Sequence, residues 1–207
     1  MTDERYRTVN EPARVQFTIS GSEFIGHVRP VETVAAAESF VDAIRAEYDD
    51  ATHNVPAYRV RADPLREYAN DDGEPSGSAG KPALNVLQGQ ELENVAVVVT
   101  RYFGGTELGV GGLVRAYSRA VKDAIDAAGV RAERPHERLA IGVEYDDSGT
   151  VRGILESEEV DFEARYEERV DFEARVPTAD VATLQDRIAS ATSGRATVES
   201  AGEDGTD

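Results

Sequence analysis

The chain has 207 residues, enough for one large domain or two small ones that each bury a core. Hydrophobic residues make up 40%, as in globular proteins, and no apolar run approaches the roughly 20 residues that span a bilayer. There is no cysteine, which excludes disulfides, thiolate metal sites and cysteine nucleophiles. The amino-terminal sequence MTDERYRTV has no apolar stretch, so we expect no secretory signal and a cytoplasmic protein.

The chain is strongly acidic. Asp and Glu number 40 against 22 Lys and Arg, for a net charge of −18, and Lys81 and Lys122 are the only lysines. Such a chain repels nucleic acid over most of its surface. Because the acids are spread along the chain rather than gathered in one tail, the pattern favours the acid bias of a halophilic archaeon over an acidic interaction protein.

Hydrophobic periodicity predicts an N-terminal domain in which short strands alternate with amphipathic helices. The run VAVVV at Val95–Val99 is too short for a helix and predicts a central strand that is buried on both faces. The elements expected are a polar lead-in over 1–13, strands Arg14–Ile19 and Phe24–Val28, a helix over 34–48, strands Tyr58–Ala62 and Val95–Val99, and a helix from Gly112 to about Ala128.

The charged segment Arg131–Arg138, which contains Pro135, predicts a domain boundary, with domains over 1–132 and 137–200. The order expected beyond it is β-α-β-β-α-β, the ferredoxin-like arrangement, with Asp147 or Ser148 as cap of the first helix. The hexapeptide VDFEAR occurs at Val160–Arg165 and Val170–Arg175, and its alternation predicts a hairpin with Val, Phe and Ala facing the core. Residues 201–207 are acidic and Gly-rich and predict a disordered tail.

The first of two Gly-rich stretches is Asp71–Gly80, with the sequence DDGEPSGSAG. Its turn residues predict a loop. On one interpretation, Asp72 and Glu74 coordinate a cation or accept hydrogen bonds from a ligand. On the other, the loop is tightly wound and its carboxylates cap neighbouring backbone donors.

The second stretch, Arg101–Tyr117, runs from the end of a buried strand through glycines into a helix. Unpaired N–H groups at a helix N-terminus form a ready anion site. No Lys-Ser or Lys-Thr pair follows the glycines, and Val114 stands where a dinucleotide fingerprint has its third glycine, so neither phosphate-loop motif is present. Arg101 and Arg115 are suited to clamp a phosphate, but with forty carboxylates in the chain they are equally suited to pair with acids.

The sequence contains no arrangement typical of nucleophilic or metal catalysis. His53 lies in ATHNVPAYR without a Ser-His-acid spacing or an HExxH motif around it. We therefore predict no catalytic residue, no metal ligand set and no cofactor.

Four stretches together closely resemble the IMPACT/YigZ family. They are FIG at Phe24–Gly26, DATHNVPAYR at Asp50–Arg59, and the two Gly-rich stretches, in the order and spacing of that family. The resemblance covers about residues 15–129, and the segment after 137 resembles the C-terminal domain of bacterial and archaeal members. It implies an N-terminal βαβ domain like elongation factor G domain IV and the second domain of small-subunit ribosomal protein five, and a ferredoxin-like domain like elongation factor G domain V.

The chain departs from the family pattern at four positions. Val55 replaces a common cysteine, Ser78 replaces threonine, and Glu23 and Glu107 stand at positions that are often basic. The loss of cations beside the Gly-rich loops argues against a grip on phosphates by charge alone.

The resemblance also implies a function, because eukaryotic IMPACT is a translational regulator. We expect a non-catalytic module that contacts RNA, the ribosome or a translation factor. The alternatives are an enzyme that binds a phosphorylated or nucleotide ligand with a divalent metal, and a regulator that binds only protein. The residues predicted to bind the ligand or RNA are His53, Asn54, Arg59, Asp72, Glu74, Ser76, Ser78, Gly80, Arg101, Tyr102, Gly104, Gly105, Gly109, Gly111, Gly112 and Arg115.

Overall fold

The computed structural model describes residues 5–62 and 64–200. Within them the chain forms two compact units, Tyr6–Glu133 and the segment from Arg134 onward. Each unit combines strands and helices, so the fold is α+β with two domains, as predicted. In these described stretches, no helix is long and apolar enough to cross a membrane.

The N-terminal unit is built around a five-stranded sheet. Its elements are β1 (Tyr6–Val9), β2 (Ala13–Ile19), β3 (Ser22–Pro30), α1 (Val34–Glu47), β4 (His53–Val60), β5 (Arg66–Ala69), α2 (Gly80–Gly89), β6 (Val95–Tyr102), α3 (Gly109–Ala128) and β7 (Val130–Glu133). The strand order is β2-β3-β6-β4-β5, and every neighbouring pair is antiparallel.

The central strand β6 is buried along both faces, as its unbroken apolar run predicts. Helix α1 covers one face, with Phe40 and Ile44 packed beside Val98. Helices α2 and α3 cover the other face, where Leu87 and Tyr117 join the larger core. An antiparallel sheet normally leaves one face to solvent and shows alternation, but two helical layers remove that requirement here.

Several predicted boundaries in this unit are wrong. Residues 6–9 of the polar lead-in form β1, which pairs with β7 from the predicted boundary region, and Val9 is fully buried. Helix α2 was not predicted and begins at Gly80, inside the first Gly-rich stretch. Helix α3 begins three residues before the predicted Gly112, and β4 begins at His53 rather than near Tyr58.

The C-terminal unit has the predicted ferredoxin-like order. Its elements are β8 (His136–Val143), α4 (Tyr145–Ser157), β9 (Asp161–Tyr166), β10 (Val170–Pro177), α5 (Val181–Ala191) and β11 (Thr197–Ser200). The sheet order is β11-β8-β10-β9, with antiparallel pairing throughout.

The hairpin prediction from the repeated VDFEAR is confirmed. Val170, Phe172 and Ala174 are buried in the core of this unit. The matching residues of the first copy, Val160, Phe162 and Ala164, are partly buried and pack against that core. The predicted cap of α4 is wrong, because the helix begins at Tyr145 and the Asp147 carboxylate instead binds Arg195 at 2.7 and 2.8 Å. The tail predicted to be disordered, 201–207, lies outside the described residues.

Candidate functional site

Most of the predicted site residues lie at one end of the five-stranded sheet. Antiparallel pairing brings the start of β4 beside the end of β6, so His53 is opposite Arg101, which in turn is opposite Phe24 of β3. The loop 71–80 and helix α3 meet at this end, where the Tyr117 hydroxyl of α3 donates a hydrogen bond to the Glu74 carboxylate of the loop. The fold therefore joins the two Gly-rich stretches at one place.

A buried carboxylate is at the centre of the site. One oxygen of Glu74 accepts a hydrogen bond from Arg101 Nη1 at 2.6 Å and another from the Tyr117 hydroxyl at 2.7 Å. His53 Nε2 lies 3.7 Å from the same oxygen, and the Glu74 side chain is only 3% exposed. Burial, followed by the hydrogen bond to Glu74, raises the pKa of Tyr117 far above its ordinary value, so its hydroxyl stays a donor.

The Arg101 guanidinium is held from several directions. Its Nη2 donates to Ser22 Oγ at 3.2 Å, and its carbon lies 5.4 Å from the ring centroid of Phe24 and 5.5 Å from that of Phe103. Because Nη1 also donates to the Glu74 carboxylate, the guanidinium is buried and holds parts of the protein together. Of the two interpretations left open for Arg101, this geometry favours pairing with an acid over a phosphate clamp with Arg115.

The loop 71–80 is wound around Asp71. This carboxylate accepts the N–H groups of Gly77, Ala79 and Gly80 at 2.7, 3.1 and 2.8 Å. Partial burial works in the opposite direction, but these three donors hold the pKa of Asp71 below its ordinary value. The same bonds fix the start of α2. Asp71 is absent from the predicted site, although its place at the head of a run of small residues is typical of a side chain that caps a loop.

Asp72 ties this loop to β4. Its Oδ2 accepts the Asn54 N–H at 2.6 Å, and its backbone carbonyl accepts a bond of 2.7 Å from His53 Nδ1. Nδ1 carries the hydrogen here, because a carbonyl can only accept. Of the two interpretations of this loop, the geometry favours carboxylates that bind the chain's own donors. Within residues 5–62 and 64–200, no group of three or more His, Asp or Glu is arranged to hold a metal ion.

Two of the predicted glycines are required by close packing rather than by a ligand. A Cβ on Gly104 would lie 1.9 Å from the carbonyl carbon of Gly21, and one on Gly80 would lie 2.6 Å from the carbonyl oxygen of Asn70. Gly105 and Gly109 face open space, but their φ angles of 82° and 68° lie in the left-handed region that favours glycine.

The remaining predicted residues are divided between the site and other parts of the unit. The hydroxyl of Tyr102 donates to Asp50 at 2.6 Å, and that bond raises the pKa of Tyr102 to about 12. Ser76 is exposed, whereas Ser78 is buried and its Oγ has no hydrogen-bond partner within the described chain. Arg59 lies at the opposite end of β4, where it pairs with Glu67, and so falls outside the site.

The surface of the site is the segment 103–112. Phe103 is 49% exposed and Val110 is 57% exposed, with exposed glycine backbone between them. The Phe103 N–H is held by Thr52 Oγ1 at 2.9 Å. Helix α3 starts after Leu108 without a side-chain cap, so the amides of its first turn are available to a ligand. Phe103 was missed from the sequence, although an aromatic residue inside a glycine loop was a signal that could have identified it.

Comparisons with known proteins agree with the resemblance of the four sequence stretches. The Impact N-terminal domain matches residues 20–125, and a domain of unknown function, DUF1949, matches residues 141–195. The IMPACT family member YvyE of Bacillus subtilis is 35% identical over 94% of this chain and 90% of its own length. The IMPACT family member YigZ of Escherichia coli is 33% identical over 86% and 89%.

Among solved structures, the crystal structure of a hypothetical protein superposes with a TM-score of 0.70 at 31% identity, covering 97% of this chain and 99% of that one. The two-domain translational regulator Yih1 matches only loosely, with a TM-score of 0.38 and 25% identity over 62% of this chain. With both domains matched and relatives aligned over most of their length, the chain belongs to the IMPACT family.

Proposed function

We propose that this protein is a non-catalytic, translation-associated module that contacts RNA through the segment 103–112. The observation that carries the proposal is the exposed ring of Phe103 beside exposed glycine backbone and the uncapped start of α3. Membership of the IMPACT family supports the link to translation, because the eukaryotic members that this chain resembles are translational regulators.

The exposed chemistry of this segment suits single-stranded RNA. An aromatic ring offers a stacking surface for a base, and free backbone N–H groups at a helix N-terminus bind a phosphate. Phe103 is well placed for stacking because its ring lies over the buried Arg101 guanidinium and its backbone is bound by Thr52. These two contacts restrict the ring before any base arrives, and such preorganisation lowers the entropy cost of binding.

The ionisable groups of the site give an enzymatic alternative little support. Glu74 is bound to Arg101 and Tyr117, and Asp72 is bound to Asn54 and lies 3.6 Å from Arg45. A general base or a metal ligand needs a carboxylate that a substrate or ion can reach. These carboxylates instead hold the loop in place.

The test compares wild type, Phe103→Ala and Tyr68→Ala. Tyr68 is the matched control, an aromatic side chain that is 40% exposed on β5 and stacks on Tyr58. We expect wild type to bind a fluorescent single-stranded RNA and to co-sediment with ribosomes in a KCl series. Loss of one stacked base costs about 1–3 kcal/mol, so Phe103→Ala should weaken binding at least about fivefold, and Tyr68→Ala should not.

Wild type that binds neither RNA nor ribosomes at any KCl concentration would contradict the proposal. A pull-down with and without ribonuclease separates the protein-binding alternative. Retention of a protein partner after ribonuclease, without any RNA binding by the purified chain, would assign the surface to protein recognition.

A further inference from the structure

Helices α2 and α3 carry an unusual distribution of charge for this chain. Asp and Glu account for 40 of 207 residues, yet there is none in α2 or in α3 from Gly109 through Lys122. The same two stretches hold both lysines of the chain, Lys81 and Lys122, together with Arg115 and Arg119. This part of an acidic protein is locally basic.

The two helices form a groove where they pack side by side. One wall comes from α2 and the residue that follows it, with Asn85 and Gln90 as hydrogen-bonding groups. Val114, Ser118 and Lys122 of α3 form the other wall. The volume of the groove is about 390 Å³. An adjoining depression on α3 is lined by Arg115, Arg119 and Lys122, with Asp123 at its end. The α2–α3 groove, meaning these two connected depressions, therefore offers cations and neutral donors.

Two of its cations are not neutralised by the protein. Arg119 forms an ion pair with Asp123 at 3.1 Å and lies over the ring of Phe17. Arg115 and Lys122 are exposed, and neither has an ion-pair partner in the described part of the chain. They are seven residues apart on one helix, so they project from nearly the same face with about 10.5 Å between them along the axis.

The stretch of α3 that carries these two cations offers them no acid from within itself. Other cations of the unit are paired with acids, as in Arg59 with Glu67 and Arg61 with Glu93, whereas no Asp or Glu occurs from Gly109 through Lys122. Two cations left open over a groove free of carboxylate along its α2 wall therefore point to an anionic ligand from outside the chain.

We infer that the α2–α3 groove holds the sugar-phosphate backbone of RNA. This inference rests on the proposed function and adds the surface that would hold the backbone. Arg, Lys, Ser, Asn and Gln are the side chains that contact nucleic-acid phosphates. RNA is favoured over an acidic peptide because the same helix begins beside the exposed Phe103. An aromatic ring next to a row of cations is typical of proteins that bind single-stranded nucleic acid, because the ring stacks on a base and the cations contact phosphates. An acidic peptide needs the cations but has no base to stack on the ring.

Charge reversal with a matched control tests the inference. Lys122→Glu and Arg115→Glu change the groove, whereas Lys81→Glu makes the same change in net charge on α2, where Lys81 interacts electrostatically with Glu67 and does not line the groove. The probe is a fluorescent single-stranded RNA, measured by anisotropy across a KCl series. Lys122→Gln provides a milder second variant, and thermal melts establish that all variants are folded.

We expect Lys122→Glu and Arg115→Glu each to weaken RNA binding at least about tenfold relative to Lys81→Glu. The slope of log Kd against log[KCl] should fall by about 0.7 for each phosphate that the variant no longer neutralises. The inference about the groove would be overturned if Lys122→Glu and Lys81→Glu bound RNA with equal affinity. If wild type still bound RNA and Phe103→Ala were still impaired, the proposed function would stand.

Two other outcomes also overturn the inference. Absence of RNA binding by wild type removes both proposals together. If a poly-glutamate peptide binds and its binding depends on Lys122, whereas RNA binding does not depend on Lys122, the ligand of the groove is an acidic protein segment.

Discussion

Replacing Glu74 by Gln tests whether the buried network holds the site together. The substitution keeps the shape and one acceptor oxygen but removes the charge opposite Arg101, whose side chain is 5% exposed. A buried ion pair that loses one partner costs about 3–5 kcal/mol, because the remaining charge is left without compensation. With a urea m-value of about 2 kcal/mol/M, the unfolding midpoint of the N-terminal unit should fall by roughly 2 M.

The assay is urea unfolding followed by tyrosine fluorescence, which is usable because the chain has no tryptophan. Asp123→Asn is the matched control, since it also removes one negative charge from an ion pair, but an exposed one with Arg119. Its cost should be about 0.3–0.5 kcal/mol and should disappear in 1 M KCl, whereas the cost of Glu74→Gln should persist because buried pairs are poorly screened.

A second substitution in the same network completes this test. In the Glu74→Gln background, Arg101→Met removes the stranded charge and should recover a large part of the lost stability. If Glu74→Gln destabilises the unit by no more than Asp123→Asn does, the ion pair does not hold the site and the reasoning is refuted.

Three further predictions concern pH, packing and the loop. Burial, and after it the charge of Arg14, lowers the pKa of His27 from 6.5 to about 4, against the opposing charge of Glu47. Between these two pH values the unfolded chain binds more protons than the folded one, so the free energy of unfolding should fall as the pH is lowered from 6.5 to 4. Urea unfolding should show a shallower pH dependence for His27→Gln, and equal slopes would contradict this. Gly104→Ala should lower Tm by about 10 °C or prevent folding, because the new Cβ would collide with the backbone of Gly21 and Ser22. Gly89→Ala is the control, since its Cβ would face open space and Tm should not fall. Equal Tm values for the two variants would show that the backbone at Gly21 can move aside. Asp71→Ala should accelerate hydrogen exchange at the three amides its carboxylate binds, and unchanged protection there would refute its anchoring role.

The local patterns of the sequence were sufficient for the elements whose neighbours lie close in the chain. The apolar run at Val95–Val99 predicted the doubly buried strand, and the VDFEAR repeat predicted the β9–β10 hairpin with its buried face. The order of elements in the C-terminal unit was also predicted. These features depend on periodicity within a few residues, which a sequence displays directly.

Pairing over long distances was not predictable in the same way. Residues 6–9 lie in a polar segment, but they form a strand because Val130–Glu133, more than a hundred residues away, supplies its partner. Helix α2 was missed because it opens with Gly80, and a glycine inside a loop motif predicts more loop. Its start depends on the bonds to Asp71, which the sequence does not reveal.

By itself, the sequence determined that the chain is acidic and free of cysteine and which family it resembles, and it predicted the two Gly-rich stretches as the functional surface. Only the tertiary structure decided which charged groups are buried and paired with other groups of the protein. Arg101 and Arg115 are equivalent in the sequence, but the fold buries the first against Glu74 and leaves the second exposed on α3. Burial and pairing depend on which segments meet across the sheet, and with forty acids to choose from, spacing along the chain cannot identify the partner.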